Sequence, residues 1–363
     1  FKQTMSVEIR KKTGQLPNFW DRSIVFFANV LSIFFENCGE MENLKQQIEG
    51  LETYGGRLIP IIDILFKGEN NLLVLEKAPD ETLIKYFQEE LGLSLPDIVI
   101  VPHSVYTTVL PEIDKMNKKE IGSALTSICQ HNASWIDGFV SDSTLIKIAQ
   151  ALNKLTISSL EGSRKGNNKF LLHEHLSESG YPVFDTFSAS SPDDVSSCVA
   201  MLRKKGYKEM VIKAQIGASG IGMVKLSTES YKTNDIPEHL FFEGPCMVQG
   251  WLDETTANVR HLGSPSVQMF LDDDTVTLYD ITEQILSNDS IHEGNMSPPP
   301  YFSPGGYIHE ELLRQSTSAG AWLHEQGYRG TASIDYRVVD RLGIIEVRAC
   351  EINARVTGAT YPS

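Results

Sequence analysis

Cysteine, basic charge and long apolar runs are all scarce in this chain, and each scarcity removes a class of protein. Its 363 residues hold five cysteines (Cys38, Cys129, Cys198, Cys246 and Cys350), scattered, odd in number and without a C-x-x-C pair. That pattern argues against a disulfide framework or a cysteine zinc site and for reduced thiols, so a cytoplasmic location is expected. Lysine and arginine number 32 against 47 aspartates and glutamates, a formal net charge of −15. So acidic a chain lacks the footprint of a general nucleic-acid binder, although a few local cations suffice for one phosphate tail. The most apolar N-terminal segment, residues 24–35, is interrupted by Asn29 and Ser32. It is too short against the about 20 residues a bilayer requires, and no signal-peptide layout accompanies it. No membrane and no nucleic-acid partner is expected. Internal repeats and low-complexity tracts are absent as well.

What is present is an ordinary globular composition, 41% hydrophobic and 22% charged, with length for two or three domains of about 100–200 residues each. "LLVLE" (72–76) reads as a buried strand, "DETLIKYFQEELG" (80–92) as a helix capped by Asp80 and closed by Gly92, and "DIVIVP" (97–102) as a second strand. Strand, helix, strand in this order favours a parallel, Rossmann-like sheet. No G-x-G-x-x-G follows either strand, so this domain carries no dinucleotide fingerprint. Residues 106–155 read as mixed and mostly helical. Further on, 168–182 is a helix ending at Gly180, and 191–207 is a helix with Ser191 as N-cap, Pro192 in its first turn and Gly206 closing it. A hairpin with an acidic turn is expected over 266–281, a long helix over 310–328, and strand, turn at Arg341–Gly343 and strand over 330–358.

"MVIKAQIGASGIGMVKL" (210–226) sets Lys213 at the end of an apolar run, before a loop holding Gly217, Gly220 and Gly222. Glycines let backbone N–H groups approach a ligand closely, and a lysine beside them suggests an anion such as phosphate. A Walker A loop needs its lysine after the glycines and a helix beyond; here the lysine precedes them and "GMVKL" alternates like a strand. A kinase Gly-rich loop has its lysine afterwards too, and neither H-R-D nor D-F-G follows. A strand–loop–strand flap remains, with an ordinary Gly-rich hairpin as the plainer reading.

In "EINARVT" (351–357), alternation sets Glu351, Asn353, Arg355 and Thr357 on one face and Ile352, Ala354 and Val356 on the other. A buried charged face must be paired or bind metal, although a solvated sheet edge would also accommodate it. Carboxylate and amide oxygens suit Mg²⁺. Arg355 can offer a bidentate fork to a phosphoryl or carboxylate group, and Asp335 on the antiparallel neighbour supplies a further carboxylate.

These motifs, in this order, resemble the ATP-grasp superfamily of carboxylate–amine ligases. Within it the chain is similar to peptide ligases of pheganomycin type, which serve natural-product biosynthesis and carry a Rossmann-like pre-ATP-grasp domain at the N-terminus. The resemblance implies an α/β and α+β chain: a pre-ATP-grasp region over 1–156, then an ATP-grasp domain over 157–363 whose two α+β subdomains clasp ATP, with 189–250 as the lid. It implies ATP contacts from Lys169, which leads "KFLLHEHLSESGYP", and from Lys213 and the flap residues Gly217, Ser219, Gly220 and Gly222. The adenine-holding strand of the family resembles "CMVQGWLDE" (246–254), which assigns Gln249 and Leu252 to the base and Glu254 to the ribose. The usual acidic residue of that strand is a glutamine here. Mg²⁺, or Mn²⁺ in its place, is implied at Asp335, Glu351 and Asn353, with Glu346 as the alternative first ligand because the hairpin is slightly long. Arg355 and Lys213 are the implied catalytic residues. The implied partners are small carboxylate and amine substrates, amino acids or peptides, and a homodimer is allowed. The implied reaction forms an acylphosphate and then an amide, releasing ADP and phosphate. Another ATP-grasp phosphoryl transfer to a small molecule and a nucleotide-binding regulator without turnover stay open as alternatives.

Several tempting features read as structural. "HEH" (173–175) is not a zinc motif, because i and i+2 do not share a helix face. "SPPPYFSPGG" (297–306) reads as a stiff surface loop or a cover over substrate, and "SRKG" (163–166) as solvated charge or an acceptor for a carboxylate. His292, Glu293 and Arg260 are candidates for the substrate region.

Overall fold

The computed structural model describes residues 6–12, 20–117, 119, 121–218, 220–287, 292–361 and 363. Ser219 of the flap lies outside them. Three sheets organise the chain.

The first is a five-stranded parallel sheet in the order Asp97–Ile100, Leu72–Leu75, Ile24–Phe27, Trp135–Gly138, Leu155–Thr156. Numbered within the domain this is 3-2-1-4-5, the doubly wound order whose switch point lies between the first and fourth strands. Ile24–Phe27 and Leu72–Leu75 are continuous apolar runs because both faces are covered. Ile24 and Phe26 pack on one side with Phe34, Leu58 and Ile59; Val25 and Phe27 pack on the other with Leu110, Ile128 and Leu145. The apolar 24–35 segment is therefore a core strand followed by a 3₁₀ helix, Val30–Phe34. Among the described residues no helix is long and apolar enough to cross a membrane.

The second is a four-stranded antiparallel lid sheet, Thr186–Ala189, Cys246–Gly250, Glu209–Ala218, Ile221–Ser227. It starts three residues before the expected lid boundary. The helix Val195–Lys204 backs it through Cys198, Val199 and Leu202. Ser191 does not cap that helix. Pro192–Asp194 form a 3₁₀ turn first, and the Ser191 side chain makes no capping bond. Gly206, at φ +87°, closes the helix as expected.

The third sheet has seven strands, running Glu8–Lys11, Thr275–Leu286, Pro265–Leu271, Gly330–Arg341, Val259–Gly263, with His292–Met296 on the second and Ile344–Asn353 on the fourth. The helices Lys169–Glu178 and Tyr307–Glu325 pack against it through Leu172, Leu176, Leu312 and Leu323. Glu8–Lys11 pairs in parallel with Thr275–Leu278, so the first strand of the 1–156 region belongs to the large sheet. The acidic turn forms because the Asp272 carboxylate accepts the N–H groups of Asp274 and Thr275 at 2.9 and 2.6 Å. The 80–92 segment starts as expected, with Asp80 accepting the Thr82 N–H at 2.7 Å. It then widens from α (Glu81–Lys85) to π (Tyr86–Glu90) before Gly92 ends it at φ +63°.

Candidate active site

The site is built on the hairpin Gly330–Arg341/Ile344–Asn353. Its two-residue turn has Leu342 and Gly343 at φ +55° and +84°, the mirror-image geometry that matches strand twist. The resulting register sets Asp335 opposite Glu351 and Ser333 opposite Asn353, while Ile334 opposes Ile352 on the buried face. Asn353 Nδ2 donates to Asp335 Oδ2 at 2.9 Å, and Ser266 Oγ donates to Asp335 Oδ1 at 2.6 Å. The alternation read at 351–357 holds as far as Asn353, where the strand ends; beyond it Val356, expected on the other face, lines the cavity beside Arg355 and Thr357.

Two carboxylates side by side in a buried site cannot both ionise freely. Burial and then the neighbouring Glu351 push Asp335 up to about 7. Burial also opposes ionisation of Glu351, but Lys169, Arg355 and Lys213 outweigh it and hold that carboxyl below its ordinary value. Lys169 is the first residue of its helix, whose N-terminus is capped by Asn168 Oδ1 accepting the N–H groups of Phe170 and Leu171 at 3.0 and 3.1 Å. The Lys169 ammonium lies 3.0 Å from Glu351 Oε2 and donates to the Gly217 carbonyl at 2.9 Å, tying the large sheet to the flap. Lys213 is buried, which lowers its pKa, and its Nζ sits 6.0 Å from the centre of the Phe184 ring. Arg355, just past the strand end, donates to Asn167 Oδ1 at 2.7 Å. Burial lowers its pKa, while Glu351 and Asp335 support its charge.

The flap is the turn between Glu209–Ala218 and Ile221–Ser227. Gly220 and Gly222 adopt φ +80° and +82°, and a Cβ on Gly217 would come within 2.6 Å of the Ile221 carbonyl oxygen. Gly217 and Gly222 therefore bring the two flap strands together, and Gly220 reaches the cavity. Behind the flap, the fully buried Glu40 lies so near Gly222 that a Cβ there would be 2.5 Å from its Oε1. Neither Glu40 oxygen has a hydrogen-bond partner, and burial pushes its carboxyl up to about 7.

A cavity of about 210 Å³ lies between the lid sheet, the large sheet and the N-terminal domain. It gathers Lys169, Lys213, Gly220, Gln249, Leu252, Asp335, Glu351, Asn353 and Arg355 from the expected set. Gln249 Nε2 donates to Thr186 Oγ1 at 2.9 Å, and the Leu252 carbonyl accepts from Arg337 Nε at 2.7 Å. Four expected residues are outside the cavity lining: Gly217 and Gly222, which join the flap strands, and Glu254 and Glu346. Glu254 turns its carboxylate back onto its own chain, accepting the His261 N–H at 2.9 Å, and is not among the cavity lining. Glu346 faces Arg348 at 2.8 Å and Arg341 at 3.7 Å, opposite Val339, so of the two alternatives for a first metal ligand it is Asp335 that faces Glu351.

Arg337 and Trp251 also line the cavity, the guanidinium 4.8 Å from the indole centre. Arg337 stands two residues after Asp335 on one strand, a spacing that marks it for the same face. Trp251 has no such signal. His292 reaches the cavity rim, whereas Arg260 pairs with Asp340 at 3.2 Å. The proline-rich loop is anchored to the large sheet: Tyr301 donates to Glu283 at 2.5 Å and covers Gly263. Arg164 pairs with Glu36 and Glu243, and His175 stacks on Trp322 with centroids 5.7 Å apart. Both are structural.

Among the described residues no three His, Cys, Asp or Glu side chains gather as a metal cage. Two hard carboxylates and one amide oxygen fit Mg²⁺ nonetheless, because that ion takes one or two carboxylates and completes its shell with phosphates and water. The raised Asp335 carboxyl is the mark of a site that a divalent cation would relieve.

A flap sheet and a carboxylate-bearing sheet face one cavity lined by Lys169 and Lys213, with Lys169 bound to both sheets, an arrangement of ATP-grasp type. Solved structures agree. The N5-carboxyaminoimidazole synthetase of Staphylococcus aureus complexed with ADP has a TM-score of 0.53 at 12% identity, over 96% of this chain and 74% of that one. Biotin carboxylase of Campylobacter jejuni in a β-γ-ATP complex has a TM-score of 0.56 at 14% identity, over 93% and 66%. No protein-family model matches the chain. Among curated proteins, the [butirosin acyl-carrier protein]–L-glutamate ligase of Niallia circulans is 24% identical over 289 residues, 78% of this chain. The chain spans 60% of that relative's length.

Proposed function

We propose that this chain is an ATP-dependent carboxylate–amine ligase. The observation that carries the reading is the Asp335–Glu351 pair, linked by Lys169 to the flap beside the shared cavity. The γ-phosphoryl group of ATP passes to one carboxylate oxygen and ADP leaves. The amine nitrogen then attacks the acyl carbon and loses a proton, and phosphate departs with that oxygen, leaving an amide. Catalysis of the first half is mainly positioning and charge neutralisation.

In this reading Lys169 and Lys213 hold phosphates, and the flap around Gly220 covers them with backbone N–H groups. Gln249 and the backbone at Leu252 hold the base, and Arg355 balances charge on the transferred group. Asp335, Glu351 and Asn353 would hold Mg²⁺ or Mn²⁺, which supplies charge neutralisation at the triphosphate. The relative, named as a ligase acting with L-glutamate and an acyl-carrier protein, favours ligation over other phosphoryl transfers on this fold. The substrates are a small carboxylate and a small amine, turned over in a reducing, cytoplasmic setting.

The test is product analysis with carboxylic acids and hydroxylamine as the amine. ADP, phosphate and a hydroxamate are expected in equal amounts. AMP and pyrophosphate as the stoichiometric products would overturn the reading in favour of adenylation.

A further inference from the structure

The cavity lining divides by origin. Every charged side chain on it (Lys169, Lys213, Asp335, Arg337, Glu351, Arg355) comes from residues after 157, and every residue supplied by the N-terminal domain is apolar or tyrosine. Val30 and Ile33 come from one 3₁₀ helix, Leu44 and Ile48 from the helix Cys38–Gln47 and its C-cap, and Leu51 and Tyr54 from a second 3₁₀ helix. Phe139 completes this wall, its ring centroid 6.1 Å from that of Tyr54.

The wall stands at a defined place. Val30 follows the first strand of the parallel sheet and Phe139 follows the fourth, which flank its switch point, where open α/β sheets bind ligands outside the carboxyl ends of their strands. Asn29 holds the two strand ends together: its Oδ1 accepts the Phe139 N–H at 2.7 Å and its Nδ2 donates to the Val140 carbonyl at 3.0 Å. A switch point that usually presents backbone amides to a nucleotide presents hydrocarbon here. Tyr54 and Arg355 line the same cavity, so the wall shares the space that the charged residues face.

We infer that the carboxylate substrate carries an apolar side chain, branched aliphatic or aromatic, seated on the wall of Val30, Ile33, Leu51, Tyr54 and Phe139 with its carboxylate turned toward Arg355 and Glu351. This inference rests on the ligase reading above and adds the substrate class to it. An acidic side chain placed there would lose its water, since the only polar side-chain atom on the wall is the Tyr54 hydroxyl and Arg57, 4.6 Å from the centre of the Tyr54 ring, is exposed and outside the lining; buried charge without a partner is strongly disfavoured. Filling the wall with a leucine- or phenylalanine-sized group favours that substrate by a factor of about 10–100 over one that leaves it empty.

The experiment uses the full chain with ATP, Mg²⁺ and hydroxylamine, and compares L-leucine and L-phenylalanine with L-glutamate by hydroxamate and ADP formation. The expected result is a kcat/KM at least tenfold higher for the apolar acids. Ile48, partly exposed at the wall's edge, tolerates substitution, and Ile48→Arg should shift the preference toward L-glutamate, a change that misfolding cannot produce. Nucleotide binding, followed by Trp251 fluorescence, confirms an intact ATP site in each variant. Preference for L-glutamate by the unsubstituted protein, with hydroxamate formed, overturns this inference and leaves the ligase reading standing. Hydroxamate from no acid at all, with nucleotide bound, overturns the ligase reading and this inference with it.

Discussion

The Lys169 ammonium sits 3.0 Å from Glu351 Oε2 while donating to the Gly217 carbonyl, so one cation fastens the carboxylate sheet to the flap. In the proposed reading the phosphates of ATP would compete with Glu351 for the same lysine, so nucleotide entry would exchange one ionic partner of Lys169 for another.

Glu351→Gln keeps shape and removes one negative charge from the cation shell. Turnover should fall by about 10²–10³, by analogy with the loss of a single electrostatic stabiliser, with partial recovery at high Mg²⁺ or with Mn²⁺. Ile352→Val, one residue along and facing the core, should cost about 0.5–1.5 kcal/mol of stability and keep turnover. Full activity of Glu351→Gln at low Mg²⁺ would sink the assignment. So would equal damage from Ile352→Val in a folded protein.

Gly220→Val tests the flap. At φ +80° a β-branched residue is strained, and its Cβ would stand where backbone must meet phosphate. The KM for ATP should rise about tenfold or more with a melting temperature within a few degrees of the parent. An unchanged KM would mean that the loop covers something other than phosphate.

Glu40→Gln tests the buried carboxyl behind the flap. Its pKa is raised from 4.5 to about 7, chiefly by burial, so the folded state holds this proton more tightly than the unfolded chain. Its stabilising contribution is complete below pH 4.5 and lost as pH rises through 7. Glutamine removes that titration. The variant should match the parent near pH 4 and exceed it at pH 8, by at most about 3 kcal/mol; thermal melts at both values decide it. Equal gains at both pH values would show that ionisation is not the cause.

Asn29→Ala tests the clamp on the apolar wall. It deletes the bonds to Phe139, Val140 and the Tyr106 hydroxyl; the Phe139 N–H keeps the Phe27 carbonyl at 3.2 Å while the Val140 carbonyl loses its partner, at about 1–3 kcal/mol. The KM for the carboxylate should rise more than the KM for ATP, because the wall loosens and the flap does not. A larger effect on ATP would place the wall against the nucleotide.

Much of this architecture was legible in the sequence where the pattern is local. Leu72–Leu75, the helix at Lys169 and the hairpin carrying Asp335 and Glu351 follow from apolar runs, caps and alternation within a dozen residues. Trp135–Gly138 was not: "WIDG" sets an aspartate in the middle of a buried strand, and burial pushes Asp137 up to about 7. The strand Glu8–Lys11 was missed because its partner lies more than 260 residues away. Glu254 was implied by the family resemblance of the linker strand, at a spacing that already departs from the family's, and here its carboxylate accepts the His261 N–H instead. The apolar wall is invisible locally, since Val30, Leu51 and Phe139 come from separate segments that only the parallel sheet brings together.

The pairing of Glu8–Lys11 with Thr275–Leu278 has a mechanical side. The chain leaves the large sheet, builds the five-stranded domain, and comes back to pack Ser158 and Ser159 against Gly327 and Arg329 of that same body. A domain fastened by two separate stretches of its chain resists twisting more than one fastened by a single stretch. With Trp20 also packed edge-on against Phe270 of the large sheet, the wall it carries keeps one facing toward the cavity.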